Sequence, residues 1–460
     1  MFGDCNGESV SIPSCWKSQK SSEPAETQTD ELVGVEKNEQ TSESKYIEVQ
    51  TDRIQEPTLS SNYDENALST FLNRVGQKVI DEIDKGNRSK AFLSYQLPDE
   101  DSSSEVKIVL SLTRPNTAEK NEMKVNSLAW SCTGGVLALA LGYPHHDDWC
   151  SHTGLIHFYN IAYSHNSTAE PSRVIETTSC VTCIAFHPYE PSFVACGLVR
   201  GNIAIWNLQN DGSETLISCN GHNDPVTDLS WVQLVGVARP NLVSSGQDGR
   251  LLIWNVSLLS GTCTIQENFG FNDLETDVEA GISCFAFCNR RPEQFVVALE
   301  GGALKFCNSS SSKLTTRISN TVAVRNPVVG DLVKHNGVVS CVAFSPYHEE
   351  LLLTVGSDNR ILVHSVVKMD VMREIQCDID LTAAAWCLSQ ANLFIVCNNE
   401  AGIDVYDHKN GRKLAEFSTD VPAICGTSLN LKSPKYLAIS DADGKAYILQ
   451  MPQYFQTGQT

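Results

Sequence analysis

From about residue 125 onward, apolar and polar positions recur in a fixed order. An alternating stretch closed by an aromatic, Val125-Asn126-Ser127-Leu128-Ala129-Trp130, returns as VTCIAF to Phe186, VTDLSW to Trp231, ISCFAF to Phe287, VSCVAF to Phe344 and LTAAAW to Trp386. A weaker seventh copy, Ala423 to Ser428, lacks the aromatic. Alternation of this kind predicts a half-buried strand. Each copy is followed by a nearly continuous apolar run such as VLALALGY, FVACGLV or LLLTVGS, the pattern of a strand buried on both faces. Next comes a tight turn carrying hairpin residues: Gly201-Asn202, Asp248-Gly249, Gly301-Gly302, Asp358-Asn359 and Asp443-Gly444. A further strand then ends on a large residue beside a small polar one, as at Tyr159-Asn160, Trp206-Asn207, Trp254-Asn255, Cys307-Asn308, His364-Ser365, Tyr406-Asp407 and Leu449-Gln450.

These ends lie about 48 residues apart, close to the roughly 40–45 of a WD40 propeller blade. One such blade has too little core to stand alone, whereas a ring of seven lets each cover its neighbours. The expected fold class is therefore all-β: a seven-bladed propeller over 106–460, with Val106 to Leu112 as the outer strand that closes the ring. The third copy carries the pattern most fully, with Gly221-His222, Ser244-Ser245, Asp248 and Trp254-Asn255. These residues resemble those of WD40 repeats. The resemblance implies a structural hydrogen-bonded set of His222, Ser245, Asp248 and Trp254 rather than catalysis.

The pattern upstream is different. Residues 1–61 are polar and acidic with few large apolar positions, so they cannot bury enough surface to offset chain entropy and are expected to be disordered alone. Two stretches in this tail resemble each other: Glu26-Thr27-Gln28-Thr29-Asp30 and Glu48-Val49-Gln50-Thr51-Asp52. Alternating β-branched residues without a partner suit strand addition to another protein's sheet edge. Over 62–86, Leu68, Phe71, Leu72, Val75, Val79 and Ile83 fall at helical spacing and make one apolar stripe. Asn62 with Glu65 is the expected capping pair and Gly86 the expected stop. A polar linker, 87–105, follows, and its loose tether favours a partner's groove over the chain's own downstream domain as the place where the stripe is buried.

The chain has 460 residues and a formal net charge of −21, with a pI near 4.9. That balance opposes nucleic-acid binding and docking on an anionic membrane. No apolar run reaches the roughly 18 residues of a membrane span, and no secretory signal is visible at the start, so a soluble protein of the cell interior is expected. The 17 cysteines scatter through the chain, many inside apolar runs, and read as reduced, buried small hydrophobes. Metal-type ligands crowd only in Tyr143-Pro144-His145-His146-Asp147-Asp148-Trp149-Cys150-Ser151-His152, at a turn of the first blade. Without paired spacing this reads as a lengthened surface loop, and no metal is expected. No phosphate loop or nucleophile elbow appears, so neither a cofactor nor catalysis is expected.

In order, the chain is an acidic tail with two short Gln-Thr motifs, an isolated amphipathic helix and a divergent propeller. That order resembles the dynein intermediate chains over nearly the whole length, most of all the smaller WD-repeat intermediate chain of dynein-2, the retrograde intraflagellar transport motor. The resemblance implies that Thr27, Gln28 and Thr29, with Val49, Gln50 and Thr51, bind the LC8-type light chain as an added strand. The second motif carries Val49 where the family has Thr, and two tethered sites would compensate through effective concentration. It implies that the helix around Phe71-Leu72-Asn73-Arg74-Val75 binds a roadblock-type light chain. It also implies that the propeller holds the dynein heavy chain, and that a second, different intermediate chain completes the assembly. The loop Asp148-Trp149-Cys150-Ser151-His152 is similar to one at the same place in the family. The chain is short for the family and lacks the long charged N-terminal coiled coil of the dynein-1 intermediate chains. The expected location is the cytoplasm, cytoskeleton and cilium, at the axoneme and basal body. The rival readings are a generic WD40 adaptor such as a ubiquitin-ligase substrate receptor, an axonemal intermediate chain, and a propeller hydrolase.

Overall fold

The computed structural model describes residues 64–88, 106–112, 123–143, 146, 150–161, 167–210, 215–237, 239–271, 280–311, 313–319 and 322–452. The two Gln-Thr motifs and residues 89–105 of the expected linker 87–105 lie outside them. The chain divides into two compact units, residues 1–90 and 91–460. In the first, the described residues include one helix, α1, Glu65–Arg88.

The second unit is a seven-bladed propeller of antiparallel sheets. In the first six blades the alternating stretch is the innermost strand, for example Lys124–Trp130, Val181–Phe186 and Val226–Val232. These strands pack side by side around the ring, and the seventh, Ile424–Leu429, returns to the first. The apolar run is the second strand and the stretch after the turn is the third. The expected closure is present: Lys107–Leu112 pairs antiparallel with Ala446–Gln450, so the chain's first strand completes the last blade.

Seven buried clusters hold the ring together, one at each junction between blades. The repeated aromatic ending the innermost strand has a specific task in three blades. The indole N–H of Trp130 donates to the Ser428 carbonyl (3.0 Å), that of Trp231 to Ala185 (3.4 Å) and that of Trp386 to Ala343 (2.9 Å). Each acceptor occupies the same place in the preceding blade's innermost strand. A large apolar ring fills the junction while its one polar atom finds a partner.

The hydroxyl residue near the start of these strands also recurs for a reason. A bulge interrupts the register there in every blade, as between Val181 and Cys183 or Val339 and Cys341. The side chains of Thr182, Ser283, Ser340 and Thr382 donate to a second-strand carbonyl at 3.1–3.2 Å, satisfying it across the irregularity.

Thr168–Ala169 adds in parallel to Lys107–Leu112 and makes the last sheet five-stranded; two further features depart from the simple repeat. The hairpin Lys313–Ser319 and Val322–Asn326, inserted between the last two strands of blade 4, adds to the outer edge of blade 3 and makes that sheet six-stranded. The long outer strand Thr262–Gly270 offers an edge that would otherwise stay open. Second, Cys219 and Cys263 are joined as a disulfide between the outer strands of blades 2 and 3. The reading of all the cysteines as reduced is corrected here, because neighbouring outer strands bring residues 44 apart to a Cα separation of 6.5 Å. Cys183 and Cys397 are buried as expected, while Cys284 and Cys341 are half-buried.

Candidate functional site

The cap of helix α1 lies two residues beyond the expected one. Asp64, not Asn62, supplies the capping oxygen, accepting from the amides of Asn66 (3.0 Å) and Ala67 (3.4 Å). A carboxylate here also suits the positive end of the helix dipole. Gly86 does not stop the helix, which continues to Arg88. A mid-helix glycine costs about 1 kcal/mol relative to alanine, too little to break an otherwise helical run. The apolar stripe stands open: Leu68, Phe71, Leu72 and Val79 are each 42–55% exposed, and Ile80 extends it at 53%. Val75 is half-buried, and the side chain of Ile83 lies outside the described residues. Arg74 reaches over the Phe71 ring at 6.0 Å.

In blade 3 the structural set forms with one correction. Trp254 Nε1–H donates to Ser244 Oγ (2.9 Å), Ser244 lies 2.7 Å from His222 Nε2, and His222 Nδ1 lies 3.0 Å from Asp248 Oδ1. Ser245 is not the member; its hydroxyl pairs with Thr227 at 2.8 Å. Alternation along the strand decides this. Ser244 shares the face of Leu242, which is paired with Trp254, whereas Ser245 points to the opposite face.

Blade 5 holds a second such set that the sequence reading missed. His335 Nδ1 lies 2.8 Å from Asp358, His335 Nε2 lies 2.9 Å from Thr354 Oγ1, and Thr354 Oγ1 lies 2.9 Å from His364 Nε2. Hydrogen bonding fixes the direction of the relay. His335 donates from Nδ1 to the carboxylate, so its Nε2 accepts from Thr354, whose oxygen then accepts from His364 Nε2–H. His364 thus does the work of the indole N–H. The spacing was a usable signal: the hydroxyl residue stands four before the Asp and the ring donor six after it in both blades. The change from Trp to His, with Lys334 in place of the glycine before the histidine, concealed it. Burial lowers His364 to about 4, and it also lowers His335 against the pull of Asp358. Burial alone would raise Asp358, but the Asn336 N–H, His335 and Arg360 together hold it well below the usual carboxylate range.

At the blade 1 turn, His146, Cys150 and His152 are joined by a residue the sequence reading did not connect with them, Cys180, just before the innermost strand of blade 2. The four ligand-type atoms all lie within 4.8 Å of one another. Burial pushes the Cys180 thiol up to about 11, and neighbouring Cys150 adds to the shift. No described helix is long and apolar enough to cross a membrane.

Residues 276–451 match the family described as the dynein axonemal intermediate chain 3 WD40 domain, and residues 169–207 and 213–255 match the WD domain, G-beta repeat. Cytoplasmic dynein 2 intermediate chain 2 of Mus musculus is 27% identical over 97% of this chain and 88% of its own length. The protein of that name from Homo sapiens is 27% identical over 86% of this chain and 78% of its own. Dynein axonemal intermediate chain 1 of Bos taurus is 21% identical over 65% of this chain and 42% of its own.

Proposed function

We propose that the chain is a non-catalytic WD40 propeller subunit of the dynein intermediate chain family, and that it links dynein light chains to a heavy chain in a dynein-2 motor. The tail takes an LC8-type light chain at Thr27-Gln28-Thr29 and Val49-Gln50-Thr51. Helix α1 takes a roadblock-type light chain on Leu68, Phe71, Leu72, Val75, Val79 and Ile83. The propeller takes the heavy-chain tail, and a second intermediate chain shares the light-chain dimers. The motor serves retrograde intraflagellar transport and cilium assembly, which places the chain on the cytoskeleton and in the cilium.

One observation carries most of this reading: the likeness to the mouse dynein 2 chain runs through 97% of the sequence and so takes in more than the propeller. The exposed apolar stripe of α1 supports it, since an amphipathic helix can lay such a face into a partner's groove. A light-chain dimer offers two equivalent grooves and can hold two tails together, so modest affinity per motif becomes firm attachment. An axonemal motor is the second reading, favoured by the family match over 276–451.

Mass spectrometry of proteins co-purifying with the tagged full chain, beside a version lacking residues 1–95, tests the assignment. Light chains are expected only with the full chain and a dynein-2 heavy chain with both. Recovery of an axonemal heavy chain selects the second reading, and recovery of no dynein subunit refutes both.

A further inference from the structure

We propose that His146, Cys150, His152 and Cys180 form a structural zinc site that ties the long turn of blade 1 to the corner entering blade 2. Three ligands come from one short segment, in the order His, three residues, Cys, one residue, His. The fourth, 28 residues on, sits on a rigid corner where Cys180 is wholly buried. Two imidazoles and two thiolates are a closed, four-coordinate set of the kind zinc prefers in structural sites.

The geometry needs little adjustment. Zinc–nitrogen bonds of about 2.0 Å and zinc–sulfur bonds of about 2.3 Å put tetrahedral ligand atoms about 3.3–3.8 Å apart. These four already lie within 4.8 Å of one another.

Each sulfur accepts from a backbone amide, although without a metal burial keeps Cys180 a thiol and Cys150 Sγ–H donates to the His152 carbonyl (3.7 Å). The Tyr143 amide points at Cys180 Sγ (3.4 Å) and the Cys180 amide at Cys150 Sγ (3.5 Å), so each sulfur has a backbone N–H to stabilise negative charge. The Arg200 guanidinium grips the Cys150 carbonyl with two hydrogen bonds, 2.9 and 2.6 Å, and fixes that residue from the blade 2 side. The Tyr143 ring packs on His152 with centroids 4.4 Å apart. Both strands leading into the turn are pressed on the same corner. A Cβ on Gly142 would stand 3.0 Å from the Cys180 Cβ, and one on Gly154 would stand 2.6 Å from the Ser179 carbonyl. The fold therefore converges on this point even without an ion, and a dication would neutralise the two thiolates that share it.

The test uses the full chain, expressed with zinc supplied and purified under reducing conditions without chelator. Elemental analysis is expected to find one zinc per chain, retained on dialysis against a weak chelator. C150S and C180S should each lose it, while C425S, at an exposed cysteine elsewhere, should keep it. Cobalt added to stripped protein should show the visible bands of tetrahedral thiolate coordination, and stripping should lower the melting temperature until zinc is restored. Substoichiometric zinc in the unaltered chain overturns the proposal, whether or not the variants fold. So does a Cys150–Cys180 disulfide found by mapping unreduced peptides, or equal zinc in the C150S/C180S double variant. None of these outcomes depends on which motor the chain serves.

Discussion

At the residue scale, the two hydrogen-bonded sets show how one geometry is met by different side chains. Trp254 fits because Gly221 has no side chain: a Cβ there would stand 2.4 Å from the far edge of the indole. In blade 5 Lys334 occupies that place before the histidine, and the smaller His364 ring replaces the indole. Gly221→Ala should therefore destabilise the propeller by about 1–3 kcal/mol in denaturant titration. Charge sets a second expectation. His364 is held at about 4 against an ordinary 6.5, so its neutral form is favoured by folding; that stability is present above pH 6.5 and is lost as pH falls toward 4. Asp228, on the innermost strand of blade 3, is shifted the other way. Burial raises it to about 6 from 3.8, so its contribution is present below 3.8 and is lost as pH rises through 6. Between pH 4 and 6.5 the two slopes oppose each other. His364→Gln should reduce the acid loss of stability, and Asp228→Asn should steepen it. Denaturant midpoints across that window check both, and parallel curves for the two variants would contradict the assignment. Ala401 offers a third case. It sits at φ 63° in the blade 6 turn where blades 2, 3, 4 and 7 have glycine. The left-handed conformation costs a residue with a Cβ roughly 1–2 kcal/mol, partly offset by glycine's greater freedom when unfolded. Ala401→Gly should raise stability by about 0.5–1 kcal/mol.

At the scale of elements, the strand Lys107–Leu112 matters beyond its six residues. It covers the edge of Ala446–Gln450, and without it the last blade would present open amides and carbonyls to other chains. A fragment 116–460 is expected to aggregate and melt broadly, whereas 106–460 should elute as a single species with one sharp transition. Size-exclusion chromatography and thermal melts of the pair decide this; equal behaviour would remove the strand from the account of closure. Helix α1 is the opposite kind of element. Its apolar face is legible from spacing alone, yet its ends were misjudged because Asp64 and Asn62 are both good caps. The choice between them lay in which side chain meets the second and third amides.

At the scale of the whole molecule, the proposal divides labour between the two units. Replacing Gln28-Thr29 and Gln50-Thr51 with alanines is expected to abolish recovery of the LC8-type light chain and leave heavy-chain recovery unchanged. Phe71→Asp with Leu72→Asp should do the same for the roadblock-type chain alone. Quantitative pull-downs measure all three; loss of the heavy chain in either variant would contradict the division.

The repeat, the strand order, the tight turns and the closing strand could be read from the chain because they rest on local periodicity: alternation and turn chemistry recur wherever a blade recurs. The stripe of α1 was legible for the same reason. What the tertiary structure alone decided were meetings between distant residues. Strand facing chose Ser244 over Ser245, and packing space let His364 stand in for tryptophan. The ring brought Cys219 to Cys263 and set Cys180 beside the blade 1 turn, because a side chain's neighbours across a junction are fixed by the geometry of two blades and leave no mark in the spacing of either.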